Sequence, residues 1–201
     1  MIQYFPSVDY LLDVLDGVIN SVETGGKILI GDVRNFKLLD AFHTAVEFYR
    51  ADDDLSLKEL RQRIRNSLRT EEELLVDPNF FIALKQKYPR ISQVQIELKR
   101  GYNQTEMNRF RYDVILYLDQ PQIQPLVTEW QWLNWEVEQL SLEKIQRILD
   151  TQKPDLLGIQ NIPNIRLISE MVLLEKIPEF EGTVKQLKAI LSPMETGINP
   201  E

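Results

Sequence analysis

A lone histidine and the absence of cysteine limit the chemistry open to this chain of 201 residues. Without cysteine there can be no disulfide, thiolate metal site or cysteine nucleophile. A zinc or iron ion would have to be bound by carboxylates and one imidazole, a ligand set that few transition-metal centres use. We therefore expect no metal site, and His43 is the one imidazole that could act as a general base.

Three polar residues around the first predicted strand are candidates for a site. Asp32 and Arg34 stand at the carboxyl end of that strand, where open α/β sheets bind ligands, although Asp32 could instead cap the next helix. His43 follows on an amphipathic helix, either as a general base or as a half-exposed polar residue beside the core. Its spacing alone favours the structural role.

Other conspicuous residues also favour structural roles. The glycine pair at 25–26 follows a helix and precedes a strand, which is the wrong side for a phosphate or ribose cradle. The tryptophans of residues 130–135 are expected to pack between two subdomains rather than to stack on bases. We interpret the acidic run 71–73 and the basic residues of 61–69 as solvated helix faces and their ends.

Charge and hydropathy exclude several classes of partner. The 31 acidic residues outnumber the 23 basic ones, which gives a net charge of −8 and disfavours binding to nucleic acid or to an anionic membrane. No apolar run approaches the ~20 residues of a membrane span, and no signal-peptide pattern is present. With 43% apolar residues, the chain is expected to form a soluble, cytoplasmic globular domain.

Helix, glycine turn and buried strand in succession predict an α/β fold. Ser7 can cap a helix over residues 8–19, and the unbroken apolar run 27–33 predicts a strand covered on both faces of a mostly parallel sheet. Further helices are expected over residues 36–49, 57–68 and 78–87.

Two further strands are predicted to form an antiparallel hairpin. Residues 93–99 alternate between apolar and polar, whereas residues 110–118 are apolar on both faces. The link between them is too short for a parallel crossover. The second strand should therefore lie inside a mixed sheet, beside residues 28–33, with the first strand at the edge.

Pro121 and Pro125 mark a predicted boundary between residues 1–120 and a helical segment, 121–201. In that segment Ser141 begins a helix with Leu142, Ile145, Ile148 and Leu149 inward. A short buried strand over residues 156–159, helices over 164–174 and 183–191, and a linker from residue 193 complete the prediction.

Nine sequence blocks are spread along nearly the whole chain: residues 1–11 (MIQYFPSVDYL), 25–34 (GGKILIGDVR), 39–46 (LDAFHTAV), 71–74 (EEEL), 77–81 (DPNFF), 98–101 (LKRG), 109–114 (RFRYDV), 163–167 (PNIRL) and 197–201 (GINPE). Together they closely resemble the later half of the S-adenosylmethionine-dependent methyltransferase domains of nonribosomal peptide synthetases, especially cyanobacterial ones. The resemblance implies an α/β fold with part of a class I, Rossmann-like methyltransferase sheet, mixed and ending in an antiparallel hairpin.

The resemblance also implies where the cofactor and substrate sites should lie. In such domains a glycine-rich loop after the first strand and an acid after the second bind S-adenosylmethionine, and the fourth strand ends just before the Gln-Tyr-Phe-Pro block. Met1 falls inside that block, so the cofactor half is expected to be missing and the chain alone to bind no cofactor. His43 and Tyr4 are the candidate catalytic residues, and Gln3, Asp32 and Arg34 the candidate substrate-binding residues.

The parent activity implied by the resemblance is methylation of a nitrogen on a carrier-bound amino acid or peptide. The chain alone is expected to be inactive, and three interpretations stay open: a split or wrongly started gene, half of a two-chain enzyme, or a remnant used as an interaction module. Because the strand at residues 28–33 would lack a neighbour, we expect its edge to bind an amino-terminal methyltransferase half or a second copy.

Overall fold

The computed structural model describes residues 2–121, 130–191 and 197–200. Within these ranges the chain is an α/β protein with eight α-helices and five strands. The first helix, α1 (Val8–Ser21), begins as predicted at Ser7, whose hydroxyl accepts the Tyr10 N–H at 3.1 Å. It ends before a turn in which Gly25 takes a left-handed φ of +82°, a conformation that favours glycine.

A three-stranded antiparallel sheet organises the first half of the chain. It consists of β1 (Lys27–Arg34), β2 (Ile91–Leu98) and β3 (Arg111–Leu118) in the order β1-β3-β2. On β3, Val114 lies opposite Ile30 of β1 and Ile96 of β2. The predicted antiparallel hairpin and the central position of its second strand are thus confirmed.

The predicted cover on both faces of β1 is wrong. Ile28 and Ile30 are each 8% exposed, but Leu29 between them is 69% exposed. Buried side chains of α1 and of α4 (Pro78–Lys87) join the buried side chains of the sheet in one core. An unbroken apolar run cannot reveal which of its residues face that core, because strand side chains alternate between two faces.

Three helices lie between β1 and β2, as predicted. After a short 3₁₀ turn at Phe36–Leu38, α2 (Leu39–Arg50) is followed by α3 (Leu57–Arg69) and α4. Ser56 and Asp77 cap the last two through backbone N–H groups. The connection from β2 to β3, predicted to be a polar loop, contains the short helix α5 (Glu106–Phe110).

The second half of the chain contains a strand that the sequence prediction missed. This strand, β4 (Gln131–Asn134), pairs in parallel with β5 (Leu157–Gln160), and α6 (Leu142–Gln152) connects the two. Leu142 and Leu149 of α6 are exposed, so the prediction that they point inward is wrong. Pro125 and residues 193–196 of the predicted linker lie outside the described ranges.

The last two helices, α7 (Ile168–Lys176) and α8 (Val184–Ile190), pack on the first half. Their residues Leu173 and Leu187 join Phe48 of α2 and Leu60 of α3 in a buried cluster. Trp130 and Trp132 instead stack on each other at 5.6 Å between ring centroids, and both are more than half exposed. The predicted packing of these two tryptophans between subdomains is therefore wrong.

Candidate functional site

A buried arginine marks the carboxyl end of β1. Arg34 is 5% exposed and lies opposite Arg111 in the β1–β3 register. Its carbonyl oxygen accepts the N–H of Val76, so an extended segment lies against the strand end. This segment connects α3 to α4 and brings two glutamates to the Arg34 side chain.

Glu71 and Glu73 bind the two ends of the Arg34 guanidinium. Nη2 of Arg34 lies 2.9 Å from Oε2 of Glu71, and Nη1 lies 3.0 Å from Oε2 of Glu73. The two glutamates are two residues apart in the connection between α3 and α4, which bends at Glu73. The ring of Phe42 lies 4.9 Å from the guanidinium carbon and adds a cation–π contact.

Three hydrogen bonds converge on the Glu71 carboxylate. Its Oε2 contacts Arg34 and also Nε2 of His43 at 3.0 Å, while its Oε1 accepts the Glu73 N–H at 2.9 Å. Burial alone would raise the pKa of Glu71, but the charge and hydrogen bonds of Arg34 and the other donors outweigh it and lower that pKa to about 2. Glu71 is thus a carboxylate at neutral pH.

The hydrogen bonds continue across the sheet end. Gln3 is buried; its side-chain Nε2 donates to Glu73 Oε1 at 3.5 Å, while its side-chain Oε1 accepts from Arg111 Nη1 at 2.7 Å. Arg111 in turn pairs with Glu106 at 2.8 Å. We refer to these connected side chains as the polar network: Gln3, Arg34, His43, Glu71, Glu73, Glu106 and Arg111.

Two cavities border the polar network. One, of about 320 Å³, is lined by His43, Glu71 and Glu106 together with residues of α2 and α3. The other, of about 310 Å³, is lined by Glu71, Glu73 and apolar side chains that include Phe5 and Phe36. Glu71 lines both cavities, so a small ligand in either would lie close to its carboxylate.

Asp32 lies outside the polar network. It has a left-handed φ of +60° at the bulge in β1, and its N–H donates to Asp113 Oδ1 at 2.8 Å. Lys99 joins the two carboxylates, with Nζ 2.8 Å from Asp32 and 2.9 Å from Asp113. Burial lowers the pKa of Lys99, but these carboxylates raise it more. The helix-cap interpretation of Asp32 is wrong, because Asn35 accepts the Lys37 N–H instead.

Of the five residues proposed from the sequence, the structure brings three together. Gln3, Arg34 and His43 belong to the polar network, whereas Asp32 does not and Tyr4 is 70% exposed. His43 is buried rather than half-exposed. Sequence reasoning missed Glu71 and Glu73 as site residues, and their interpretation as solvated helix residues is wrong, since they lie between helices. The signal that could have identified them is that the two glutamates are two residues apart in a segment between helices.

Two features of the described residues bear on metal and cofactor binding: the placement of the histidine and acidic side chains, and the glycine turn. In residues 2–121, 130–191 and 197–200, no group of three or more histidine or acidic side chains is placed to hold a metal ion. The Gly25-Gly26 turn joins α1 to β1, and its Gly25 N–H donates to the Leu118 carbonyl, so it does not cradle a nucleoside. No helix among these residues combines the length and apolar character needed to cross a bilayer.

Comparison with known proteins gives a consistent group of relatives. Chondramide synthase from Chondromyces crocatus is 39% identical over 207 aligned positions, which include all of this chain. The chain is homologous to a segment of nonribosomal peptide synthetases. A probable non-canonical nonribosomal peptide synthetase from Salinispora arenicola and cyclosporin synthetase from Tolypocladium inflatum are each 30% identical, over 94% and 92% of this chain.

The chain spans a small part of these relatives: 5% of chondramide synthase, 2% of the Salinispora synthetase and 1% of cyclosporin synthetase. No protein-family model matches the chain.

Proposed function

We propose that this chain is the carboxyl half of an S-adenosylmethionine-dependent methyltransferase domain of nonribosomal peptide synthesis, working in the cytoplasm. Its reaction would be methylation of the nitrogen of an amino acid or peptide that is bound to a carrier protein. The chain would contribute the substrate side of the domain, and a cofactor-binding half would contribute the rest.

The observation that carries this proposal is the strand order. The resemblance implies a sheet that ends in an antiparallel hairpin, with the farther strand of the hairpin at the edge. The order β1-β3-β2, with β3 antiparallel to both neighbours, matches that end of the sheet. Homology to nonribosomal peptide synthetases over the whole chain supports the same assignment.

The polar network supports a substrate-side role. It lies at the carboxyl end of β1, where α/β sheets bind ligands, and it contains Gln3 and His43, which the resemblance assigns to that side. The carboxylates of Glu71 and Glu106 line the same cavity as His43 and suit a ligand that carries an amine. The network as a whole would therefore orient an amine nitrogen.

The edge of β1 before Arg34 that faces away from β3 supports a cofactor-binding half as partner. In the described part of the chain, β1 forms a strand ladder with β3 alone, and Leu29 is exposed on it. Such an edge favours strand pairing with another chain or segment. Self-association through the same edge is the competing outcome, and light scattering with and without the partner half distinguishes the two.

A reconstitution assay tests the proposed function. The segment that precedes the aligned region in chondramide synthase is joined to this chain, and methyl transfer from radiolabelled S-adenosylmethionine to an aminoacyl carrier protein is measured. We expect transfer by the joined protein and none by either part.

Two variants of the joined protein serve as a matched comparison. His43→Gln should abolish most of the transfer, whereas Glu143→Gln, at an exposed position of α6, should leave it unchanged. A joined protein that folds and binds the cofactor but transfers no methyl group would contradict the proposal.

A further inference from the structure

The one histidine of the chain has a hydrogen-bond partner that determines which of its ring nitrogens carries a proton. Nε2 of His43 lies 3.0 Å from Oε2 of Glu71. An ionised carboxylate only accepts hydrogen bonds, so a neutral imidazole bound to it through Nε2 must carry its proton on that nitrogen. The lone pair then lies on Nδ1.

The Glu71 carboxylate is itself held in place. Arg34 contacts the same oxygen at 2.9 Å, and the Glu73 N–H fixes the other oxygen at 2.9 Å. The side chains of Arg34 and Glu71 are 6% and 12% exposed, so water competes little for these bonds. The carboxylate therefore cannot turn away from His43 without leaving a buried guanidinium short of a partner.

Packing restrains the imidazole from a second direction. The ring of Phe42 meets the His43 ring edge-on, with 5.2 Å between centroids. The same Phe42 ring lies against the Arg34 guanidinium. Arg34, Phe42 and Glu71 thus form one contiguous support around His43, which in turn lines the cavity of about 320 Å³.

We infer that Glu71, held by Arg34, is a positioning residue that fixes His43 as its Nε2–H tautomer and leaves Nδ1 as the proton acceptor. The role of Nδ1 as a base rests on the proposed function: it would take a proton from the amine of the substrate. The imidazolium formed in that step would keep its Nε2–H bond to Glu71, whose negative charge stabilises it. Glu71 would thus orient the general base His43, as a third group orients the base in other catalytic sites.

Nuclear magnetic resonance of the full chain tests the inference without any activity assay. Because the sequence has one histidine, a tag-free protein labelled with ¹⁵N in its imidazole gives a single set of ring signals. At a pH where the ring is neutral, we expect one protonated nitrogen at Nε2, with its proton visible through slow exchange with water. A ring protonated at Nδ1, or one that averages both tautomers, would overturn the inference.

Two glutamine substitutions distinguish the specific effect of Glu71 on the His43 ring from the general effect of removing a negative charge. Glu71→Gln should leave the ring averaging between tautomers and abolish the slowly exchanging Nε2–H signal. Glu72→Gln, the same change at the exposed neighbouring position, should keep the wild-type spectrum. If Glu71→Gln does not fold, the double variant Arg34→Gln/Glu71→Gln removes both buried charges and is expected to show the same averaging. A folded variant that lacks Glu71 but keeps the wild-type tautomer would also overturn the inference.

Failure of this inference is distinguishable from failure of the proposed function. The tautomer is read in the spectrum of the chain by itself, whereas the proposed function is read as methyl transfer by the joined protein. In the joined protein, Glu71→Asp should restore part of the transfer that Glu71→Gln loses, because a carboxylate is again available. Equal activities of the Asp and Gln variants would contradict the positioning role even if the enzyme is a methyltransferase.

Discussion

Removing the charge of Glu71 should destabilise the fold more at neutral pH than in acid. The folded pKa of Glu71 is lowered from 4.5 to about 2 by its bonds to Arg34 and the other donors, against the effect of burial. A depressed carboxylate pKa contributes stability that is fully present above the unfolded pKa and is lost as the pH falls toward the folded one. The difference between these two pKa values corresponds to about 3 kcal/mol of stability at neutral pH, of which about 2 kcal/mol is gone near pH 3.

Urea denaturation of the wild type and of Glu71→Gln measures this contribution. At about pH 7 the variant should be less stable by about 3 kcal/mol or more, because it also leaves the buried Arg34 charge without this partner. Near pH 3 the difference in unfolding free energy between wild type and variant should narrow by about 2 kcal/mol, since the Glu71 carboxyl is then largely protonated in the unfolded chain but still mostly ionised in the folded one. The exposed control Glu72→Gln should lie within about 0.5 kcal/mol of wild type at both pH values. If wild type and Glu71→Gln differ in unfolding free energy by the same amount at both pH values, the prediction is refuted.

Three further predictions concern the fold around the site. Leu116→Ala, on the buried face of β3, should lower the free energy of unfolding by about 2–5 kcal/mol, as measured by urea denaturation. Leu29→Ala, at an exposed position, should lower it by less than about 1 kcal/mol. Equal losses for the two variants would contradict the burial of Leu116 and the exposure of Leu29. Ser56→Ala should cost about 1 kcal/mol through loss of the α3 cap, and an unchanged midpoint would argue against that bond. Gly158→Ala should displace Trp132, since a Cβ there would lie 2.5 Å from the indole ring, so near-ultraviolet circular dichroism should lose the signal of the stacked pair; an unchanged spectrum would contradict this packing.

The sheet order was predictable from the sequence because the alternation of apolar and polar residues along a strand indicates which of its faces are covered. Residues 93–99 alternate and residues 110–118 are apolar on both faces, which distinguishes an edge strand from a central one. Helix starts were predictable as well, since Ser7, Ser56 and Asp77 are residues that accept backbone N–H groups at the first turn. Both signals are local in the sequence, although the sheet itself forms through long-range pairing of β1 with β3.

The composition of the polar network was only partly predictable. Arg34 and His43 stand beside a strand end and so attract attention, but the partner of both, Glu71, comes from a segment 28 residues beyond His43. A run of three glutamates indicates a solvated surface unless the segment is known to pack against a strand end. The contacts of Glu71 and Glu73 with Arg34 depend on the docking of residue 76 against the end of β1, a long-range contact that no local pattern encodes.

The exposure of Leu29 and the short strand β4 also escaped prediction. An apolar run predicts a strand but not which of its two faces is covered, since that depends on the helices that pack on it. The β4 residues Gln131–Asn134 have no clear alternation, and they form a strand by pairing with β5 across α6. In both cases tertiary pairing, rather than intrinsic preference, determines the outcome.

Calorimetric titration with S-adenosylmethionine most directly tests the claim that this chain is the substrate-side half of a methyltransferase domain. The cofactor is titrated into the chain, into the preceding segment of chondramide synthase, and into the two joined as one protein. We expect no measurable binding to the chain alone, because its described residues hold no glycine-rich cradle, and clear binding to the joined protein. Binding to the chain alone, or a folded joined protein that binds no cofactor, would contradict the claim.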